Sequence, residues 1–231
     1  MLPEGYIYPK QERAVRDLLR KRSQLVRQKT ANLLSIHNLY SRNTGQSISA
    51  NRIKQLTSEK VDAQFTNSEV ALAVKANLMV MRSLETEIAV VERVVKERIK
   101  LRPGYRYLLT VNGIGQTLAL TIMLETGDIG RFPKVGNFAS YCRCVGSEKL
   151  SNGKRKGTGN TKNGNNYLSW AFVEAANFAI RFDPLIARYY QRKKAKTHRV
   201  VAIKAVAHKL SRACYYVMRD EVSFDVNRAF A

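Results

Sequence analysis

TNSEVALAVKANLMVMRSLETEIAVVERVVKERIK, residues 66–100, reads as one continuous helix and decides the fold class. Val74, Leu78, Met81, Leu84, Ile88, Val91 and Val95 recur at steps of three and four, the repeat of a coiled-coil seam more than of a broad amphipathic stripe. Thr66 or Asn67 supplies an N-cap, and Glu69 follows in the first turn, where a carboxylate meets the helix dipole favourably. This stretch is expected to be the longest helix of the chain.

Upstream, the pattern from Pro9 to about Tyr40 is also helical, with Val15, Leu18, Leu19, Leu25, Val26, Leu33, Ile36 and Leu39 as its apolar positions. Between them Arg13, Arg16, Arg20, Lys21, Arg22, Arg27 and Lys29 make a basic face, either simply solvated or following a phosphate backbone. Asn43-Thr44-Gly45-Gln46 breaks the helix, and Ser49-Ala50-Asn51 starts a short one through Lys60. Two long helices with a connector predict an antiparallel hairpin or an oligomerising coiled-coil arm, because heptads do not state how many chains share them. Pro3, Gly5 and Pro9 keep the first residues extended, and Tyr6, Ile7 and Tyr8 have no element of their own to cover. They read as an ordinary N-terminal arm or as a face for an upstream domain. Pro103-Gly104 divides a helical arm, 1–103, from a second domain, 104–231.

In that domain YLLTVNGIGQTLAL, residues 107–120, sets an apolar turn, a Gly113-Ile114-Gly115 corner and a second apolar helix ending near Gly127. This is the arrangement of a helix-hairpin-helix, whose glycines leave backbone N–H groups open to a phosphate at a helix N-terminus. Tight helix packing is the competing explanation. Pro133 to Cys144 is a short helix with Phe138 and Tyr141 inward. Residues 145–167, VGSEKLSNGKRKGTGNTKNGNNY, then place five glycines beside Lys149, Lys154, Arg155, Lys156 and Lys162. Nearly devoid of apolar side chains, this segment reads as a basic glycine-rich loop, either a plain surface loop or one able to approach a polyanion closely.

Asn165 or Asn166 caps the next helix, Tyr167 to Arg181, which is apolar on most faces and central to the domain. The basic stretch is thereby anchored at both ends by core helices. Asp183-Pro184 leads a helix to about Lys194, and a last long helix runs from about His198 to Asp220. From Arg188 to Arg212 there are nine Lys/Arg, Arg192, Lys193 and Lys194 among them, and no Asp or Glu. A solvated surface normally mixes signs, so this block favours nucleic acid.

The 231 residues carry 40 Lys+Arg against 18 Asp+Glu, a formal charge of +22, with 45% hydrophobic residues. That balance describes a folded, mainly α protein that meets nucleic acid or an anionic surface, and it argues against disorder. No apolar run approaches the ~20 residues of a spanning helix, and the N-terminus lacks a secretory signal, so a cytoplasmic, membrane-free location is expected. Cys142, Cys144 and Cys214 lack Cys-x-x-Cys spacing, and His37, His198 and His208 are scattered. Free thiols and no metal site are expected.

The order and spacing of the Val-Asn-Gly-Ile-Gly corner and the Ser-Asn-Gly-Lys-Arg-Lys-Gly to Asn-Thr-Lys-Asn-Gly-Asn run resemble the C-terminal half of transposases of the insertion-sequence-110 family, whose members are also named for insertion sequences 116 and 902. The resemblance covers nearly the whole chain. It implies a DNA recombinase whose C-terminal domain supplies a serine nucleophile from a Ser-Gly pair just before the basic run. The matching residue is Ser151, with Asn152 where the pattern has glycine; Ser147 is the competing candidate. Lys154, Arg155 and Lys156 would hold the scissile phosphate and stabilise its developing charge, while Lys162 and Asn165 position the strand. The resemblance also implies DNA as partner, a structured guide RNA in some members, homo-oligomers, association with the bacterial nucleoid, and an N-terminal RuvC-like domain whose carboxylates bind Mg²⁺. Before Pro9 this chain has neither the strands nor the clustered carboxylates of such a domain. It is therefore expected to carry no cofactor itself, and to be a truncated product or remnant of a mobile element that binds nucleic acid without recombining it.

Overall fold

A computed structural model describes residues 6–146, 148–158 and 163–230, with 148–150, 155 and 158 described by their backbone alone. Pro9–Ile99 forms one compact unit; the chain from Lys100 onward, with Tyr8 and the residues just before it, forms the other. Helices dominate both, as the periodicities predict.

In the first unit α1, Lys10–Thr44, runs from Pro9 and stops where Gly45 turns left-handed at φ 68° and returns its N–H to Ser41 O. α4, Ser68–Arg98, is capped by the Asn67 side chain, which accepts from Val70 N–H. At 35 residues against 31, α1 and not α4 is the longer helix. The two lie antiparallel: Arg22 meets Glu92 at 2.6 Å, Lys29 meets Glu85 at 3.4 Å, and Ser35 accepts from Asn77 at 3.3 Å. Rising numbers on one helix thus pair with falling numbers on the other. Val74, Leu78, Met81, Ile88 and Val95 are buried in this hairpin, so within this chain α1 already covers the heptad seam. In place of one short helix, the connector holds two, α2 (Ala50–Lys54) and α3 (Ser58–Gln64). Thr57 caps the second, a start signal inside the predicted span. Ile53, Val61 and Phe65 join Ile36, Tyr40 and Val74 in the core at this end, and the Tyr40 and Phe65 rings meet edge to face at 5.9 Å.

The second unit is built on α6 (Gln116–Thr126), α8 (Asn166–Phe182) and α10 (Arg199–Asp220). Every α6 residue from Leu118 to Thr126 is buried. α8 turns Ala171, Ala175, Ala176 and Ala179 inward, all fully buried, a small-residue face that lets neighbouring backbone come close. α5 (Gly104–Leu108), α7 (Val135–Tyr141), α9 (Pro184–Lys194) and α11 (Val226–Phe230) complete the helices. Tyr6 and Tyr8 pack on this same unit: Tyr8 is buried, and the Tyr6 ring lies under the Arg131 guanidinium at 4.1 Å. Ahead of the Gly113 corner the chain forms the five-residue α5.

Among the described residues the sole sheet is a hairpin, β1 (Glu148–Ser151) with β2 (Lys154–Thr158), inside the expected glycine-rich loop. Its turn explains it. Asn152 at φ 50° and Gly153 at φ 71° both take positive angles, as a type I′ turn requires, and Asn-Gly is the pair that tolerates them.

Candidate nucleic-acid interface

The hairpin is mounted on the helical body at its base. Asn165 caps α8, accepting from Tyr167 and Leu168 N–H at 2.9 and 3.1 Å, and donates through Nδ2 to the buried Glu125 carboxylate of α6 at 2.7 Å. Asn165 N–H donates to Tyr141 O at 2.6 Å. Arg143, left-handed at φ 55°, reaches from the hairpin's entry to its exit, donating to Asn163 O at 3.0 Å and Gly164 O at 3.1 Å. Gly164 itself takes φ 88°, and a Cβ there would lie 2.5 Å from Tyr141 O. Entry and exit are therefore tied to each other and to α6, α7 and α8. Asn165, expected to position a strand, has its side chain committed to this internal network.

On the hairpin, Ser151 stands directly opposite Lys154 in the register, and both are exposed. Opposed residues of an antiparallel pair share a face with Cβ atoms about 5 Å apart. The register shifts between Lys149 and Leu150, leaving Lys156 between the pairs Leu150–Arg155 and Lys149–Gly157. Such a bulge re-aims side chains and increases twist; Lys156 is exposed. Among the described residues no side chain hydrogen-bonds the Ser151 hydroxyl. Ser147 and Lys162 lie outside the described residues, and Arg155 is described by its backbone only.

The two corner glycines serve different ends. At Gly113, φ 88°, an added Cβ would collide with Ala175 O and lie 2.7 Å from Ala179 N, so this glycine allows the corner to rest on the α8 backbone. Packing accounts for it. Gly115 has nothing within 4 Å and is exposed at the N-terminus of α6, with no side-chain cap over the first N–H groups. It is the one that leaves room for an anion. Beside the corner, Asn112 donates to Asp183, whose other oxygen caps α9 at Leu185 and Ile186 N–H. Arg192, Lys193 and Lys194 are exposed in the last turn of α9, where the helix dipole also favours cations.

Sequence reading passed over Arg143, Glu125 and the Asn112–Asp183 pair. Their partners lie 20 to 71 residues away, and no local spacing announces them. The Asn152-Gly153 pair was legible. Cys142 and Cys214 are buried and Cys144 half-buried; burial pushes the Cys144 thiol up to about 11 and the other two well above the ordinary thiol range. Among the described residues no three His, Cys, Asp or Glu side chains gather as a metal site. No helix there is long and apolar enough to cross a membrane.

The segment that holds the corner and the hairpin has a match among known protein families. Residues 105–191 match the transposase IS116/IS110/IS902 family. A probable family 20 transposase of Pseudomonas aeruginosa is 25% identical over 178 residues, covering 74% of this chain and 52% of that protein. An uncharacterized 43.6 kDa protein of the insertion element IS110 of Streptomyces coelicolor is 24% identical over 136 residues, covering 58% of this chain and 33% of that protein. The chain thus spans about half the length, or less, of these curated relatives.

Proposed function

We propose, from the match of residues 105–191 to the IS116/IS110/IS902 transposase family, that this chain is the DNA-handling part of an insertion-sequence transposase, with Ser151 as the nucleophile on a DNA phosphate. The observation that carries the reading is the cross-strand pair of Ser151 and Lys154 on an exposed, cation-rich hairpin within the matched segment. The serine oxygen attacks phosphorus and forms a new P–O bond as the strand oxygen leaves. The serine proton is lost and the leaving oxygen gains one, so one phosphoester replaces another. Lys154 and Lys156, with Arg155, neutralise the charge that develops on the phosphoryl oxygens. Gly115 and the first N–H groups of α6 hold a neighbouring phosphate, and Arg192, Lys193 and Lys194 add non-specific grip.

The test is Ser151→Ala in the recombination-competent protein that carries this sequence. Trapping under denaturing conditions should show a covalent protein–DNA adduct for the parent and none for the variant, with DNA affinity within about twofold, since a neutral hydroxyl contributes little to phosphate-dominated binding. Loss of binding together with the adduct would contradict a nucleophile. The uncommitted Ser151 hydroxyl favours a second reading, in which the hairpin only grips DNA or RNA. That reading predicts no adduct from the parent protein under any condition.

A further inference from the structure

We propose that the groove between α9, α10 and the segment 222–229 binds one unpaired nucleotide of a nucleic-acid strand, its base against Tyr216 and Phe224 and its phosphate on Arg212. The inference rests on the nucleic-acid reading above and adds a site to it. Apart from Tyr189, the groove's lining lies beyond the family match at residue 191.

The groove is a cavity of about 660 Å³, inside the ~300–1,000 Å³ range of small-molecule sites. The lining mixes aromatic and apolar side chains, of which Tyr216 is 38% and Val222 47% exposed, with cations: His208, Lys209 and Arg212 from α10 and Arg228 from α11. Asp225 is the single carboxylate of the lining, and it is already committed, accepting from Asn227 N–H at 2.9 Å and Arg228 N–H at 3.3 Å. Lys209 donates to Ala229 O at 2.7 Å and lies 5.0 Å from the Tyr189 ring centre.

Burial, then Arg192, Arg212 and Lys193, hold the Lys209 ammonium below its ordinary range, and burial with Arg212 and Lys209 lowers His208 likewise. Among the described residues none of Arg192, Lys193, Lys209 or Arg212 has a carboxylate within ion-pair distance. Among the described residues these cations outnumber the one carboxylate of the lining and make no ion pair with it, which favours an anion. A bare phosphate would leave the aromatic side chains unused, and an apolar ligand would leave the cations unneutralised. A nucleotide uses both, and it must be unpaired, because stacking on a side chain needs a base face that a duplex keeps covered.

The test measures binding of the 231-residue chain to a blunt DNA duplex and to the same duplex with a short unpaired end, by fluorescence anisotropy at one salt concentration. The unpaired end should bind about tenfold tighter, the effect of one stacked base. Tyr216→Ala should bring it to the blunt value and Tyr216→Phe should keep the preference. Val222→Glu sets a carboxylate at the exposed rim without entering the core, and should also abolish the preference even if Tyr216→Ala fails to fold. Equal parent affinity for both duplexes overturns the site and leaves duplex binding standing, whereas no binding to either overturns both proposals. A preference that survives Val222→Glu and Tyr216→Ala puts the unpaired end elsewhere and overturns the site. Competition by a free mononucleotide at the concentration at which the unpaired-end duplex competes identifies a free-nucleotide pocket and overturns the strand assignment.

Discussion

A methyl group at Gly113 would run into Ala175 O while holding a positive φ; space and backbone both oppose it. Gly113→Ala is expected to cost more than about 2 kcal/mol, whereas Gly115→Ala, with open space around it, should cost well under about 1 kcal/mol; thermal denaturation of the two variants checks the contrast. Asn165→Ala removes a helix cap worth about 1 kcal/mol and a donor to a buried carboxylate worth about 1–3 kcal/mol. It should therefore destabilise the second unit by about 2–4 kcal/mol, read from denaturant midpoints at constant slope. The cysteines should not react with a thiol reagent at neutral pH until the chain is unfolded, because burial keeps all three protonated. Of these residues the sequence made Asn165 legible as a cap and the cysteines legible as free thiols. It could not show that the same asparagine also reaches Glu125, 40 positions away.

The hairpin β1–β2 stands on its turn chemistry. Asn152→Thr puts a β-branched residue at φ 50°, which costs on the order of 1–3 kcal/mol. Faster amide exchange of the strand residues should report the loss of pairing, and adduct formation should fall although Ser151 is intact. Lys154→Ala should flatten the log–log salt dependence of DNA binding by about one, the slope carried by one phosphate contact. The strands escape a pattern search because they are short and polar: period-two hydrophobicity, the usual mark of a strand, needs a buried face, and this hairpin has exposed lysines instead. The long helices were legible for the opposite reason, since each buries a stripe at a 3.6-residue period. α11 went unread because its five residues are too few to display a period.

At the scale of the whole molecule, two separate cores divide after Ile99, where α4 has ended and the chain from Lys100 joins the other unit, whose α5 starts at Gly104. The fragment 9–99 should fold by itself, with a helical circular dichroism spectrum and a cooperative melt, because its core cluster draws only on its own residues. A non-cooperative melt would show that this core needs more than the hairpin supplies. The net charge of +22 bears on partners and not on fold, which was left to be read from periodicity.

One helix carries a further consequence. Gly115 begins α6, and Glu125 near its other end holds Asn165 at the base of the hairpin. The ten-residue step from Gly115 to Glu125, buried from Leu118 on, fixes this interval at about 15 Å. For the proposed nucleic-acid contacts at Gly115 and on the hairpin, the length of α6 sets the spacing between them. A one-turn insertion in α6 would lengthen that spacing by about 5 Å and shift where contacts fall along the strand, with little change in how tightly each is made.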